Sequence, residues 1–170
     1  MKLENVVESS GYRIYVDIDG VLADFDAGIF DLMGERIPSP ASKEFESRMF
    51  AALKQHTADG QLFWETLDKL KDADMLWRYV KRYNPIVLSS IGDQDAADGQ
   101  KRRWIAKHFG RNTRVELVRT SAEKAKYATS TSILIDDRSK SIDPWVSAGG
   151  IGILHTSASN TITELKKLGL

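Results

Sequence analysis

The chain contains no cysteine, and this absence excludes disulfide bridges, thiolate metal sites and a cysteine nucleophile. Long apolar runs are missing too. No segment approaches the roughly 20 apolar residues that span a membrane, and the opening segment MKLENVVESSG lacks the apolar core of a signal peptide. We therefore expect a soluble, cytoplasmic protein that has no membrane partner.

An excess of charge of either sign is also missing, because 24 lysines and arginines balance 24 aspartates and glutamates. The chain thus lacks the basic field that holds nucleic acid, and any preference for nucleotides must come from a local pocket. The length of 170 residues suits one domain with a complete core and a small insertion. A homo-oligomer is compatible with these features.

The most informative stretch is a short apolar strand that ends in two acids. Residues 14–16 (IYV) are followed by Asp17 and Asp19, and Gly20 then breaks the pattern. Because alternate side chains leave a strand on the same face, the two carboxyl groups start out pointing the same way. Two acids at the end of an apolar strand are costly without a cation or a chemical task.

Three other interpretations of this stretch exist, and the sequence argues against the first two. Asp19-Gly20 could form a hairpin turn, but residues 21–23 do not continue as an alternating strand. A calcium loop that began at Asp17 would place Leu22 where glycine is required. A purely structural pair of acids is the third alternative.

The segment DIDGVLADF, from Asp17 to Phe25, resembles motif I of the haloacid dehalogenase-like phosphohydrolases. The full match resembles the 5'(3')-deoxyribonucleotidase branch of that superfamily. The resemblance extends over nearly the whole chain and includes RRWIAKHFG at residues 102–110. It implies a phosphatase that acts on nucleoside monophosphates, with 5'-deoxyribonucleotides as the expected substrates.

Apolar segments that alternate with helical patterns predict the rest of the fold. Strands are predicted at residues 14–16, 86–90, 115–118, 133–135 and 151–154. Helices are predicted at 24–33, 41–55, through 67–83, around 104–109, at 121–128, and finally up to Gly169. Ser39 is expected to cap the second helix with Pro40 in its first turn, and Thr161 and Glu164 to form a capping box for the last.

This alternation predicts an α/β fold with a doubly wound, mostly parallel sheet. Residues 1–23 and 85–170 would form the catalytic core, and residues 24–84 a small helical cap inserted after the first strand. Ligands of such sheets bind outside the carboxyl ends of the strands. Polar pairs stand at three of these ends, namely Asp17/Asp19, Ser89/Ser90 and Asp136/Asp137.

Clustered carboxylates without histidine or cysteine ligands favour Mg²⁺ as the cofactor. We assign Asp17 as a metal ligand and as the nucleophile that forms an aspartyl-phosphate. Asp19 would offer its backbone carbonyl to the metal and its carboxyl group for proton transfer. The resemblance implies that Asp137 reaches the metal and that Asp136 holds a lysine or a metal-bound water, although which acid binds directly is left open.

Phosphate binding is assigned to Ser89, Ser90 and a lysine. The two serines resemble motif II of the family, where threonine is usual, and a serine that bonds its own turn is the alternative. Lys124 and Lys126 both qualify as the motif lysine. Lys126 is favoured because its spacing to the acid pair resembles that of the nucleotidases, and a solvated surface lysine is the alternative.

The resemblance places substrate contacts at Phe25, Phe63, Trp64 and Arg138, since flat rings suit a nucleobase. Aromatics at helical spacing can equally belong to the core, and Arg138 can be a surface cation. The leading hypothesis is an Mg²⁺-dependent phosphatase of small nucleoside monophosphates. The alternatives are a 3'-phosphatase of nucleic-acid ends, which the charge balance disfavours, and a non-catalytic binding module.

Overall fold

A five-stranded parallel sheet forms the centre of the protein. The computed structural model describes residues 11–170, so the predictions that concern residues 1–10, including the missing signal peptide, lie outside the described residues. The strand order is β3-β2-β1-β4-β5, and all four pairings are parallel. The predicted α/β fold with a doubly wound sheet is confirmed. The strands are β1 (Arg13–Val16), β2 (Ile86–Ser90), β3 (Val115–Val118), β4 (Ser132–Asp136) and β5 (Ile151–Leu154).

The central position of β1 follows from its composition. Ile14 and Val16 are fully buried, and Val16 lies opposite Val87 of β2 on one side and Ile135 of β4 on the other. A strand with neighbours on both edges and helices on both faces is apolar wherever it is covered, and only Arg13 at the start of β1 is exposed. The acids that follow β1 therefore emerge between the ends of β2 and β4.

Helices cover both faces of the sheet. Three short 3₁₀ segments, Trp64–Thr66, Lys81–Tyr83 and Ser121–Tyr127, supplement them. No helix within residues 11–170 is long and apolar enough to cross a membrane. The α-helices are α1 (Phe25–Met33), α2 (Lys43–Ala58), α3 (Ala73–Val80), α4 (Ala96–Phe109), α5 (Ser139–Ser147) and α6 (Ala158–Lys167).

The start of α2 differs from the prediction. Ser42, not Ser39, is the N-cap, and its hydroxyl accepts a hydrogen bond from the Phe45 N–H at 3.1 Å. Pro40 consequently precedes the helix instead of opening it. A serine is expected at this cap because its hydroxyl accepts a hydrogen bond from a backbone N–H that has no partner within the helix. Ser39, Pro40 and Ser42 all lie within four positions, so the pattern alone does not fix the first residue of the helix.

The predicted capping box of α6 is wrong. Ser157 is the N-cap and accepts from the Asn160 N–H at 3.1 Å. Thr161 lies inside the helix and is buried. Its hydroxyl is 2.7 Å from Nδ1 of His155, which satisfies a polar group that would otherwise be buried without a partner.

Helix α5 was not predicted. It carries Pro144 in its interior, and an internal proline normally argues against a helix because it removes an N–H donor and clashes with the preceding turn. Trp145 next to it is fully buried and packs its ring edge-on against Tyr15 of β1 at 5.3 Å. Burial of this large ring favours the helix despite the proline.

Helix α3 packs with the core. It lies against α6, and the Tyr79 hydroxyl donates to the carbonyl of Leu170 at 2.7 Å. A parallel pair such as β1 and β2 needs a crossover that returns along the sheet, usually a helix. We propose that α3 is this crossover and that α1 and α2 form the inserted part. The boundary at residues 24–84 stays a prediction.

Two neighbouring positions of α3 test its place in the core. Leu76 is 0% exposed and Met75 is 51% exposed. We expect Leu76→Ala to lower the free energy of unfolding by about 2–5 kcal/mol, because it removes buried methyl groups and leaves a cavity. Met75→Ala should change it by less than about 0.5 kcal/mol. Denaturant unfolding measures both values, and equal losses would contradict the packing of α3.

Candidate active site

Three carboxyl groups meet where β1 and β4 end. One oxygen from each of Asp17, Asp136 and Asp137 lies within 4.8 Å of the other two. The sheet causes this convergence: Val16 and Ile135 are partners in register, and the Asp17 N–H donates to the Ile135 carbonyl at 2.9 Å. Adjacent parallel strands that end at the same level place their next residues side by side. The predicted meeting of these acids is therefore observed.

Gly20 allows Asp137 to approach the loop after β1. Its φ of +78° lies in the left-handed region, and a Cβ atom built there would stand 2.0 Å from Oδ2 of Asp137. Any other residue would displace the carboxyl group. The glycine that breaks the strand pattern in the sequence therefore also makes room for an acid 117 positions later in the chain.

Lys124, not Lys126, is the lysine of this cluster. Its ammonium group lies 2.6 Å from Oδ2 of Asp136 and 3.0 Å from Oδ1 of Asp17, and its side chain is 1% exposed. The Lys126 side chain is 70% exposed and pairs with Glu123 at 3.4 Å. The prediction that favoured Lys126 is thus corrected.

The local helix type explains which lysine turns inward. The segment Ser121–Tyr127 is a 3₁₀-helix, in which residues three positions apart share a side. Lys124 and Tyr127 are such a pair, and the Tyr127 ring packs on Tyr15 of β1 with centroids 5.7 Å apart. Lys126 therefore faces away from the sheet.

Crowding and burial raise the pKa values of Asp136 and Asp137. Desolvation, and then the charge of Asp17, raise the pKa of Asp136 to about 6 and that of Asp137 to about 7. As a residue Asp137 is exposed, but its carboxyl group lies against the Gly20 backbone. Burial opposes the charge of Lys124, yet Asp17 and Asp136 together raise its pKa, so the lysine stays protonated.

Asp19 has a different partner from Asp17. Its Oδ2 accepts from the ammonium group of Lys101 at 2.6 Å, and Lys101 also donates to the Ser89 hydroxyl at 3.1 Å and the Ser90 carbonyl at 2.8 Å. Desolvation raises the pKa of Asp19, and the charge of Lys101 opposes that shift. The Asp19 carboxyl group is not part of the three-acid cluster, so its predicted metal contact is left to the backbone carbonyl.

Lys101 was not singled out from the sequence, although a signal was present. On α4 the buried residues are Ala97, Gln100, Lys101, Trp104 and Ile105. Lys101 follows Ala97 by one turn and precedes Ile105 by one turn, so it occupies an otherwise apolar stripe. A lysine in such a stripe is rarely buried unless it is paired.

The residues predicted to contact substrate fall into two groups. Phe63 and Trp64 are buried, and Phe63 packs edge-on against the half-buried Phe25 at 5.7 Å. Phe63 also lines a cavity of about 270 Å³ together with Gly28 and His56. Arg138 is exposed and lies 3.6 Å from Glu46 of α2. Substrate contact by any of these four residues remains a prediction.

Helix α2 contacts the segments that follow β2 and β4. After β2, the Gln94 side chain donates to the Phe50 carbonyl at 3.1 Å. After β4, Lys140 pairs with Glu46 at 3.1 Å. Because the segments after β2 and β4 both leave the sheet at its carboxyl edge, these two contacts hold Glu46 and Phe50 of α2 near that edge.

The acid cluster fits a hard divalent cation. It offers carboxylate oxygens only, which Mg²⁺ prefers. Oδ1 of Asp17 is buried without a well-directed hydrogen bond, although it is within ion-pair distance of Lys124. A buried carboxylate oxygen in this condition is costly unless a cation completes its surroundings.

Known proteins resemble the chain in sequence and in fold. It is 27% identical over 148 residues to the mouse mitochondrial 5'(3')-deoxyribonucleotidase, a match that covers 76% of this chain and 66% of the mouse protein, just under two thirds of its length. The chain matches no protein-family model.

Two solved structures show the same architecture. One is a haloacid dehalogenase-family hydrolase from Deinococcus radiodurans with bound phosphate and sodium, which matches with a TM-score of 0.57 at 12% identity. The match covers 94% of this chain and 97% of the Deinococcus chain. The other is a haloacid dehalogenase-family enzyme from Bacteroides thetaiotaomicron in complex with magnesium and inorganic phosphate, which matches with a TM-score of 0.50 at 13% identity. The match covers 86% of this chain and 94% of the Bacteroides chain.

The chain has the haloacid dehalogenase-like fold. The resemblance read from DIDGVLADF is confirmed at the level of the fold. The acids, Ser89 and Lys124 stand at the carboxyl edge of the sheet, where parallel α/β sheets bind ligands.

Substitution of Gly20 tests the cation site. If Asp137 and its neighbours bind Mg²⁺, adding Mg²⁺ at a hundredfold excess over Kd should stabilise the protein by about 2.7 kcal/mol. Gly20→Ala should abolish this gain because its Cβ displaces the Asp137 carboxyl group. Thermal unfolding with and without Mg²⁺ provides the measurement.

Gly34→Ala is the matched control. Gly34 has a φ of +74°, yet no atom lies within 4 Å of a Cβ placed there. Both substitutions thus strain the backbone, whereas only one displaces an acid. An equal Mg²⁺ gain in both variants would show that Asp137 does not hold the ion.

Proposed function

We propose that the chain is an Mg²⁺-dependent phosphatase of nucleoside monophosphates, with 5'-deoxyribonucleotides as its main substrates. The observation that carries this proposal is the position of Asp17. Its carboxyl group follows the central strand, beside the ammonium of Lys124 at 3.0 Å and within 4.8 Å of two further carboxyl groups. A carboxylate that lies between the Lys124 ammonium and the proposed Mg²⁺ site is well placed to attack a phosphate.

In the first step, a carboxylate oxygen of Asp17 attacks phosphorus and forms an acyl-phosphate bond. The ester P–O bond breaks, and the leaving nucleoside oxygen takes a proton from the carboxyl group of Asp19. General acid help of this kind contributes roughly 10²–10⁴-fold. The raised pKa of Asp19, caused by desolvation, favours the protonated form that this step needs.

In the second step, water attacks phosphorus of the aspartyl-phosphate and Asp19 accepts its proton. The acyl-phosphate P–O bond breaks, which releases inorganic phosphate and restores the Asp17 carboxylate. Lys124 stays paired with Asp136 and offsets the negative charge on the transferred phosphate. Ser89 supplies a hydroxyl donor from the end of β2.

Mg²⁺ would be held by Asp17, Asp137 and the backbone carbonyl of Asp19, with Asp136 beside them. When bound, it supplies positive charge that lets a phosphate dianion approach three carboxylates. The Bacteroides structure with magnesium and inorganic phosphate supports this choice of ion.

A small substrate is supported by α2, whose contacts with the segments after β2 and β4 hold it near the carboxyl edge of the sheet. A bound phosphomonoester would extend its leaving group toward this helix. The likeness to the mouse deoxyribonucleotidase supports a nucleoside as that group. The presence of every acid and of two buried lysines supports an enzyme over a non-catalytic module.

Mg²⁺ binding should weaken as the pH falls. Desolvation raises the pKa of Asp137 to about 7 and that of Asp136 to about 6, so protons compete with the ion below those values. We expect the apparent Kd for Mg²⁺ to rise between pH 8 and pH 6, by up to about tenfold per pH unit below the pKa of a required ligand. Calorimetric titration measures it, and a Kd that is constant over this range would contradict ligation by these acids.

A panel of substrates tests the reaction class. We expect deoxynucleoside 5'-monophosphates to have a higher kcat/KM than 3'-phosphorylated oligonucleotides, ribonucleotides or sugar phosphates. EDTA should abolish phosphate release and Mg²⁺ should restore it. Asp17→Asn should lower kcat by at least about 10³-fold while the protein remains folded. A preference for oligonucleotides would instead favour a 3'-phosphatase of nucleic-acid ends.

A further inference from the structure

Lys101 is the second buried lysine near the acids, and the mechanism above does not use it. It is 1% exposed. Its ammonium group has three partners at hydrogen-bond distance, which are Asp19, Ser89 and Ser90. An ammonium group has three N–H donors, so all of them are in use. Lys101 therefore holds protein groups and has no donor left for a substrate.

The direction of one of these bonds constrains Ser89. An ammonium group only donates, so the Ser89 hydroxyl oxygen must accept from Lys101. The hydroxyl hydrogen is then left for another acceptor. Within residues 11–170, no hydrogen bond donated by this hydroxyl is found. A phosphate oxygen at the strand ends can fill that place.

The bond to Asp19 similarly leaves one oxygen unused. Lys101 engages Oδ2 at 2.6 Å, whereas Oδ1 is buried without a partner. Lys101 thus holds the carboxyl group by Oδ2, and Oδ1 is available for proton transfer to a substrate. Charge-assisted bonds of this kind are among the strong ones, and a fixed orientation is what proton transfer to a leaving group requires.

We propose that Lys101 is a positioning residue that orients two groups of the reaction, the Asp19 carboxyl and the Ser89 hydroxyl, toward the same phosphate. It joins the loop after β1 to the end of β2 from its place on α4. Its task is separate from that of Lys124, which pairs with Asp17 and Asp136. This inference rests on the proposed function, because it needs a phosphate ester as substrate.

The test compares leaving groups in Lys101→Met. A nucleoside oxygen must be protonated as it leaves, whereas p-nitrophenolate leaves without help. Loss of the Asp19 orientation should therefore lower kcat/KM, which reports formation of the phosphoenzyme, at least about tenfold more for a deoxynucleotide than for p-nitrophenyl phosphate. A purely structural role would lower both equally, and that result would overturn the proposal. Lys107→Met on the exposed side of the same helix is the matched control and should leave both rates unchanged.

A second variant covers the case in which Lys101→Met does not fold. Removing one partner leaves Asp19 buried and unpaired, whereas removing both can be nearly neutral. We therefore compare Asp19→Asn with the double variant Asp19→Asn/Lys101→Met. Adding Lys101→Met to Asp19→Asn should lower deoxynucleotide turnover by no more than adding Ser89→Ala to Asp19→Asn does, within about threefold, because Lys101 acts through Asp19 and Ser89. A loss at least about tenfold greater than that would overturn the proposal.

Failure of this inference is distinguishable from failure of the proposed function. If the wild-type protein releases no phosphate from any ester, the proposed function fails. If the wild-type protein is active and Asp17→Asn is inactive, but Lys101→Met slows both substrates equally, the proposed function stands and the role of Lys101 is wrong.

Discussion

Repulsion among four carboxyl groups is the constraint that shapes this site. Asp17, Asp19, Asp136 and Asp137 stand at the ends of two neighbouring strands, and two buried lysines oppose them. When all are ionised, the acids outnumber the lysines by two charges, which a divalent cation would balance. The sheet register holds this arrangement, since a slip of β4 by one residue would turn its acids to the other face.

The sequence carried enough information to predict the sheet and the acids. Residues 14–16 could only be a buried strand, and the next two acids had to emerge at its end. The same logic found Ser89, Ser90, Asp136 and Asp137, because a parallel sheet collects the ends of its strands along one edge. The local sequence pattern and the sheet topology agree at these positions, so the strand-end residues could be predicted without the tertiary structure.

The lysines were harder to predict because their roles depend on which way a short helix turns. Lys124 and Lys126 differ by two positions, and Lys124 shares a side of its 3₁₀-helix with Tyr127, which packs on Tyr15. Lys101 could be found from its place between Ala97 and Ile105, but a lysine is exposed on most helices. Helix α5 was missed because burial of Trp145 outweighs the local effect of Pro144.

The connection that leads into α2 separates two kinds of change. The acids and lysines belong to strand ends and to elements packed on the sheet, whereas α2 follows a connection formed by residues 34–42, most of which are exposed. Exposed connections tolerate changes in length at little cost in stability. Under the proposed function, lengthening or shortening this one surface loop would change the preference for larger or smaller leaving groups and leave the acids and lysines in place.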